Sequence, residues 1–238
     1  MRLLRLVAVF LLLTMLSACD QTTADEHLTR AEQFALNADY RAAVIELARH
    51  YLAGLQDAGM SSCGKHFPGH GSVRADSHVD DVIDPRSRAE LDESDLRPFA
   101  ALLGQLDSVM MAHVVYPDVD PAPAGYAERW IGGVLRGELG FRGIVFSDDL
   151  GMHAAAAAGK LSDRLSRCLE AGCDAALVCD PADVEQLFHE IGAGELPPCE
   201  ALTRLAGRNA LTAAEVASVG EWRHWQESLE ELEHSQWA

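Results

Sequence analysis

Residues 135–152 read LRGELGFRGIVFSDDLGM, and the parsing of this stretch sets the fold. Gly140 stops a helix predicted over residues 126–138. Residues 143–146 are a short apolar run of the length and composition of a buried strand. Ser147, Asp148 and Asp149 stand at its carboxyl end. The same order continues downstream, with a helix predicted over residues 161–171 and a strand over residues 175–179. Helices are predicted again over residues 182–191 and 199–211.

Upstream the order also repeats. Residues 61–67 form a predicted strand that runs into the glycine-rich loop GHGSVRADSH, residues 69–78. A helix over residues 87–103 and a strand over residues 108–115 follow. Repeated strand and helix units imply an α/β fold with a parallel sheet wrapped by helices. Its strands should be apolar because both faces are covered.

In such a fold, chemistry collects at the carboxyl ends of the strands. Three polar clusters fall there: the run from Lys65 and His66 to Gly71, the pair Ala112 and His113, and Ser147 with Asp148 and Asp149. Together they imply a shared pocket. A carboxylate at such a place can act as a nucleophile, a metal ligand or a helix cap. Strands alternate their faces, so Asp148 and Asp149 should diverge, one doing chemistry and the other anchoring the turn. Asp76 and His78 would share one side of an extended segment. A carboxylate beside an imidazole raises its pKa above about 6.5 and orients the ring, which suits a proton donor. An exposed loop histidine is the plainer alternative.

The amino terminus has a different character. Arg2 and Arg5 precede an apolar run over residues 6–16, and Ser17, Ala18 and Cys19 follow. A basic start, an apolar stretch and small residues before a cysteine describe an export signal. The pattern resembles a bacterial lipoprotein signal, in which Cys19 would carry the lipid. The run is too short for an ordinary membrane-spanning helix. Two helices are then predicted, over residues 25–36 and 40–55, the second with Ala43, Val44, Leu47, Tyr51 and Leu55 as its apolar stripe. Residues 28–50, LTRAEQFALNADYRAAVIELARH, resemble a single tetratricopeptide-type hairpin. One such repeat cannot bury its faces alone.

The bulk numbers are those of a globular chain: 238 residues, 48% hydrophobic and 24% charged. A net charge of −18 repels phosphate backbones, which argues against a nucleic-acid partner. Neutral sugars are indifferent to that field. The six cysteines, at 19, 63, 168, 173, 179 and 199, contain no CxxC pair. They read as buried free thiols rather than zinc ligands, and no metal or other cofactor is expected.

The strings KHFPGHG, DSH, MAHVVYP and LRGELGFRGIVFSDDLGM, in that order, resemble glycoside hydrolase family 3. The resemblance is to its bacterial β-N-acetylhexosaminidases of peptidoglycan recycling. It extends through AGCDAALVC into RLAGRNALT and covers residues from about 51 onward. It implies a (β/α)8 barrel that retains anomeric configuration through a covalent glycosyl-enzyme. It further implies Asp148 as nucleophile, His78 as proton donor paired with Asp76, and Lys65 and His66 as sugar contacts. The substrate class would be a terminal β-linked N-acetylglucosamine from peptidoglycan fragments.

The expected organisation is a lipoprotein signal over residues 1–19, a helical hairpin over residues 20–50, and the last four β/α units of a TIM barrel over residues 51–238. Half a barrel exposes two strand edges and forgoes groups of the absent half, so weak or no turnover is expected. The alternatives are an envelope lipoprotein whose hairpin binds a partner, and a sugar-binding remnant without turnover. The signal directs the chain to the cell envelope, with membrane contact only through the lipid. Proteins of the resembled kind are usually cytoplasmic, which is the other location.

Overall fold

The computed structural model describes residues 29–31, 33, 39–70, 72–73, 77, 80–192, 199–208 and 215. The segment predicted to be an export signal, with Cys19, most of the first predicted helix, and both Asp76 and His78 lie outside the described residues. The chain divides into two compact units, Met1–Met60 with Gly207–Ala238, and Ser61–Ala206.

In the first unit, helix α1 spans Tyr40–Asp57. Asp39 caps it by accepting from the Ala42 backbone N–H at 3.1 Å. Its buried residues are Ala43, Ile45, Glu46, His50 and Leu52, whereas Val44 and Tyr51 of the predicted stripe are exposed. The stripe was misplaced because a charged residue occupies the buried face. Arg49 bonds the buried Glu46 at 2.9 Å and Arg30 reaches it at 3.7 Å, which compensates its desolvation. No described helix is long and apolar enough to cross a membrane.

The second unit is built on a four-stranded sheet. Its strands are β1 (Cys63–Phe67), β3 (Ser108–Met111), β6 (Ile144–Asp149) and β7 (Ala175–Leu177), adjacent in that order and all parallel. These are the four strands expected. Between them run helices α2 (Arg88–Glu93), α3 (Leu96–Leu102), α4 (Arg129–Glu138, wound in the wider π form) and α5 (Leu161–Glu170). Helix α6 (Pro181–Ile191) follows β7, and a 3-10 segment, Glu200–Leu205, stands where a longer helix was predicted.

A second, small sheet was not foreseen. It joins β2 (Val82–Ile83), β4 (Val114–Tyr116) and β5 (Asp120–Pro123) in the order β2-β4-β5. The single predicted strand over residues 108–115 is therefore two, β3 in the main sheet and β4 in the small one. The predicted helix over residues 87–103 is also interrupted, at Ser94 and Asp95. There the Ser94 hydroxyl donates back to the Glu90 carbonyl, and the backbone leaves helical geometry. Its start is firm, because Ser87 and Glu90 form a reciprocal capping box worth about 1 kcal/mol.

The core lies between the sheet and its helices. Trp130 of α4 is fully buried and meets Phe67 and Tyr116 edge-on, at 6.1 and 5.3 Å between ring centres. Leu91, Leu96, Met111, Ile131, Leu135, Val145 and Leu150 complete it, each worth about 1.5–3 kcal/mol of burial. The first half of β6, residues 144–146, is apolar for this reason. Strand β1 departs from the expectation, since Cys63 and Lys65 are exposed. Two carboxylates staple the amino ends of the strands. Asp107 accepts from the Ser62 backbone N–H at 2.8 Å, and Asp174 from the Val145 N–H at 2.8 Å. Arg136 of α4 bonds the same Asp174 oxygen at 2.8 Å. The cysteines divide: Cys168 and Cys173 are buried, whereas Cys63 and Cys179 are exposed, contrary to a uniform reading as buried thiols.

Candidate functional site

The parallel register lines up the carboxyl ends of β1, β3 and β6. At the end of β6 the two aspartates part. Asp149 Oδ1 accepts from the Gly151 N–H at 3.0 Å and the Cys179 N–H at 3.1 Å, so this residue holds the turn and ties it to the segment after β7. Asp148 Oδ1 accepts from the Asp149 N–H at 2.9 Å. Its other oxygen, Oδ2, lies 3.4 Å from His66 Nε2 of β1. The Asp148 side chain keeps 15% of its surface exposed, enough for a ligand to approach. Ser147, immediately before, is fully buried, and its hydroxyl accepts from the Leu177 N–H at 3.0 Å. The serine thus locks β6 to β7 just beneath the exposed carboxylate.

Of the predicted sugar contacts, His66 stands beside Asp148, and Lys65 is exposed on the same strand. Asp76 and His78 lie outside the described residues, whereas Ser77 between them is described. Ser77 is 5% exposed, and its hydroxyl lies 3.2 Å from His70 Nε2. Its carbonyl accepts from the Ala154 N–H at 3.2 Å, in the 3-10 segment His153–Ala158 that follows β6. The centre of the Asp-Ser-His motif is therefore pinned to the segment that follows the strand carrying Asp148.

A polar network holds the start of that loop. Gly69 takes φ +153°, and a Cβ there would fall 2.3 Å from the Asp95 Cβ. The Tyr116 hydroxyl donates to the Gly69 carbonyl, and Arg86 bridges Asp95 and Asp84. Asp84 is 1% exposed. Burial pushes its carboxyl up, yet hydrogen bonds from the Arg86 side chain and backbone outweigh this and hold it below the usual range. Burial also pushes the Tyr116 hydroxyl up, so it remains a donor. Sequence reasoning missed this network. The available signal was the pairing of Asp84 and Arg86 around Pro85, before the helix cap.

His113 was noted as a strand-end residue and given no role. It is 1% exposed, and among the described residues neither ring nitrogen has a hydrogen-bond partner. Its ring lies 5.3 Å from that of Tyr126. Burial lowers its pKa more than the nearby Asp148 charge raises it, so the imidazole is neutral. Among the described residues no group of three His, Cys, Asp or Glu could hold a metal ion.

Comparisons with known proteins bear on this arrangement. The profile of a family described as "Glycosyl hydrolase family 3 N terminal domain" matches residues 31–206. A protein of Stenotrophomonas maltophilia named beta-hexosaminidase is 51% identical over 162 residues, 68% of this chain and 48% of that protein. One of the same name from Alkalilimnicola ehrlichii is 47% identical over 195 residues, 79% of this chain and 54% of its own length. The chain thus spans about half the length of the curated relatives it matches. Among solved structures, NagZ from Neisseria gonorrhoeae in complex with N-trifluoroacetyl-D-glucosamine superposes with a TM-score of 0.66. It shares 37% identity, over 79% of this chain and 55% of that one. A family 3 β-N-acetylglucosaminidase from Paenibacillus sp. gives 0.64 at 29% identity, over 81% of this chain and 40% of that one.

Proposed function

Because this chain belongs to glycosyl hydrolase family 3, we propose that it acts as a retaining β-N-acetylglucosaminidase on peptidoglycan-derived sugars, with Asp148 as nucleophile. The observation that carries this reading is the division of labour at the end of β6. Asp149 is committed to backbone N–H groups, while Asp148 turns one oxygen towards His66 at 3.4 Å and keeps 15% of its side chain exposed. A carboxylate held at one oxygen by a backbone N–H, with only a histidine beside the other among the described residues, is arranged to attack.

In the first step, Asp148 Oδ2 forms a bond to the anomeric carbon as the bond to the leaving oxygen breaks. His78, oriented by Asp76, gives its proton to that oxygen. Water then attacks the anomeric carbon, neutral His78 takes the water proton, and the Asp148 carboxylate leaves. The pinning of Ser77 to His70 and Ala154 supports a donor delivered from this loop. His66 and Lys65 supply donors to sugar hydroxyls. The gonococcal protein's ligand, an N-acylated glucosamine, supports the choice of sugar.

The test uses the purified chain with nitrophenyl β-glycosides. Weak nitrophenol release, as befits half a barrel, is expected from the N-acetylglucosaminide and much less from the glucoside. Release from neither sinks the hydrolase reading. The four-stranded sheet favours one further reading, because among the described residues β1 and β7 are each paired on one side only. In that reading the chain binds N-acetylglucosamine without turnover. Calorimetric binding of the sugar with no nitrophenol would select it, and neither result would leave a partner-binding lipoprotein.

The export reading is part of the proposal: Cys19 is acylated and the chain faces the envelope rather than the cytoplasm. Labelled palmitate is expected to enter the chain in bacterial cells and to be lost in Cys19→Ala. No incorporation, or equal incorporation in the variant, would overturn the export reading.

A further inference from the structure

His70 takes no part in the proposed chemistry, yet its imidazole lies between the nucleophile's side of the site and the loop that carries the Asp-Ser-His motif. On one side its ring centre is 6.3 Å from that of His66, the residue beside Asp148, with the two rings edge to face. On the other side its Nε2 is 3.2 Å from the Ser77 hydroxyl. The ring is half-buried and Ser77 is buried, so little water competes for that contact.

Both ends of the contact are anchored. Gly69, just before His70, accepts from the Tyr116 hydroxyl at its carbonyl and packs against Asp95. Tyr116 is fully buried in β4, and Arg86 ties Asp95 to Asp84. The backbone that enters His70 is thus set by the small sheet and by the start of α3. Ser77 is held from another direction, because its carbonyl accepts from the Ala154 N–H at 3.2 Å. Ala154 is buried, in the segment that follows β6. One hydrogen bond leaves a residue free to turn about it. Two bonds from different elements remove that freedom.

We propose that His70 is a positioning residue for proton transfer: by holding the Ser77 hydroxyl it sets where the loop presents the donor His78 to the leaving oxygen. Ser77 is the covalent neighbour of both Asp76 and His78, and consecutive α-carbons are about 3.8 Å apart, so a fixed Ser77 limits the reach of both. This role rests on the glycosidase reading and adds to it a residue that touches neither the sugar nor the transferred proton. It has a chemical signature. A residue that places the acid matters only as far as the leaving group needs the acid. Phenol must be protonated as it departs, whereas dinitrophenolate departs unaided as a stable anion. A residue that merely stabilised the site would slow the release of both alike.

The test compares the unaltered full chain with His70→Phe, Ser77→Ala and the double variant on phenyl and dinitrophenyl N-acetylglucosaminides. The reading is kcat/KM, which reports the first step alone. His70→Phe is expected to lose about 10²-fold on the phenyl glycoside and less than about 3-fold on the dinitrophenyl one. The double variant is expected to lose no more than His70→Phe, because both changes remove the same contact. Amide exchange adds a reading free of turnover. The Ala154 N–H should lose about tenfold in protection in His70→Phe, while the Val145 N–H, bound to Asp174 before the far end of β6, keeps its own. Loss of protection at Val145 as well marks a variant that has not folded, and Ser77→Ala, the smaller change, then carries the same comparison. Hydrolysis of neither glycoside by the unaltered chain would sink the glycosidase reading and this role with it. Hydrolysis with equal losses on the two glycosides, additive losses, or unchanged protection at Ala154 would overturn the role of His70 alone and leave the glycosidase reading standing.

Discussion

Nitrophenol release from the nitrophenyl N-acetylglucosaminide is expected to fall by about 10³-fold or more in Asp148→Asn, with thermal stability nearly unchanged. Asparagine keeps the shape of the side chain, and its oxygen can still accept from the Asp149 N–H. It loses the negative charge that faces His66 and the lone pair that would attack the anomeric carbon. The loss should fall on kcat rather than KM, because the removed group acts in the transition state. Asp149→Asn is the informative comparison. Asp149 holds the Gly151 and Cys179 N–H groups, so its change should loosen the turn without removing the nucleophile. Full activity in Asp148→Asn, with loss in Asp149→Asn, would move the nucleophile to the neighbouring residue.

Arg86→Ala is expected to cost about 3–5 kcal/mol of stability in urea unfolding at neutral pH. Arg86 bonds Asp84 through both Nε and Nη2, reaches Asp95, and donates to the Ser94 hydroxyl at 2.9 Å. Its removal leaves Asp84, 1% exposed, as an unpaired buried charge. It also frees Asp95, the side chain against which Gly69 is packed, so the glycine-rich loop should lose protection from hydrogen exchange. The pH dependence follows from the depressed Asp84 pKa. A carboxyl with a lower pKa folded than unfolded stabilises the fold above its unfolded value, about 3.9, and that stability is lost as pH falls through its folded value. The gap between wild type and Arg86→Ala should therefore narrow below about pH 4. A gap that stays constant from pH 7 to pH 3 would show that the loss is of packing, not charge.

Local pattern was enough for the main sheet. The strand ending in Ser147, Asp148 and Asp149 is legible because a strand buried on both faces must be apolar, and its polar end then stands out. The divergence of Asp148 from Asp149 is equally legible, since adjacent strand residues face opposite ways. The break at Ser94 was less visible, because it depends on one hydroxyl turning back to the Glu90 carbonyl. The small sheet was hidden for a related reason: β2 has two residues and β4 three, too few for a period to register.

Long-range pairings were beyond any reading of the chain alone. His66 meets Asp148 across 82 positions only because β1 and β6 both flank β3 in one parallel sheet. Glu46 is buried because Arg30 and Arg49 converge on it, which inverts the face that hydrophobicity alone assigns to α1. Residue type and spacing carry the hydrophobic period, the glycine turns and the chemistry at the strand ends, since these act between near neighbours. Which polar groups are buried, and what satisfies them, depends on segments far apart in sequence that meet only when the core closes.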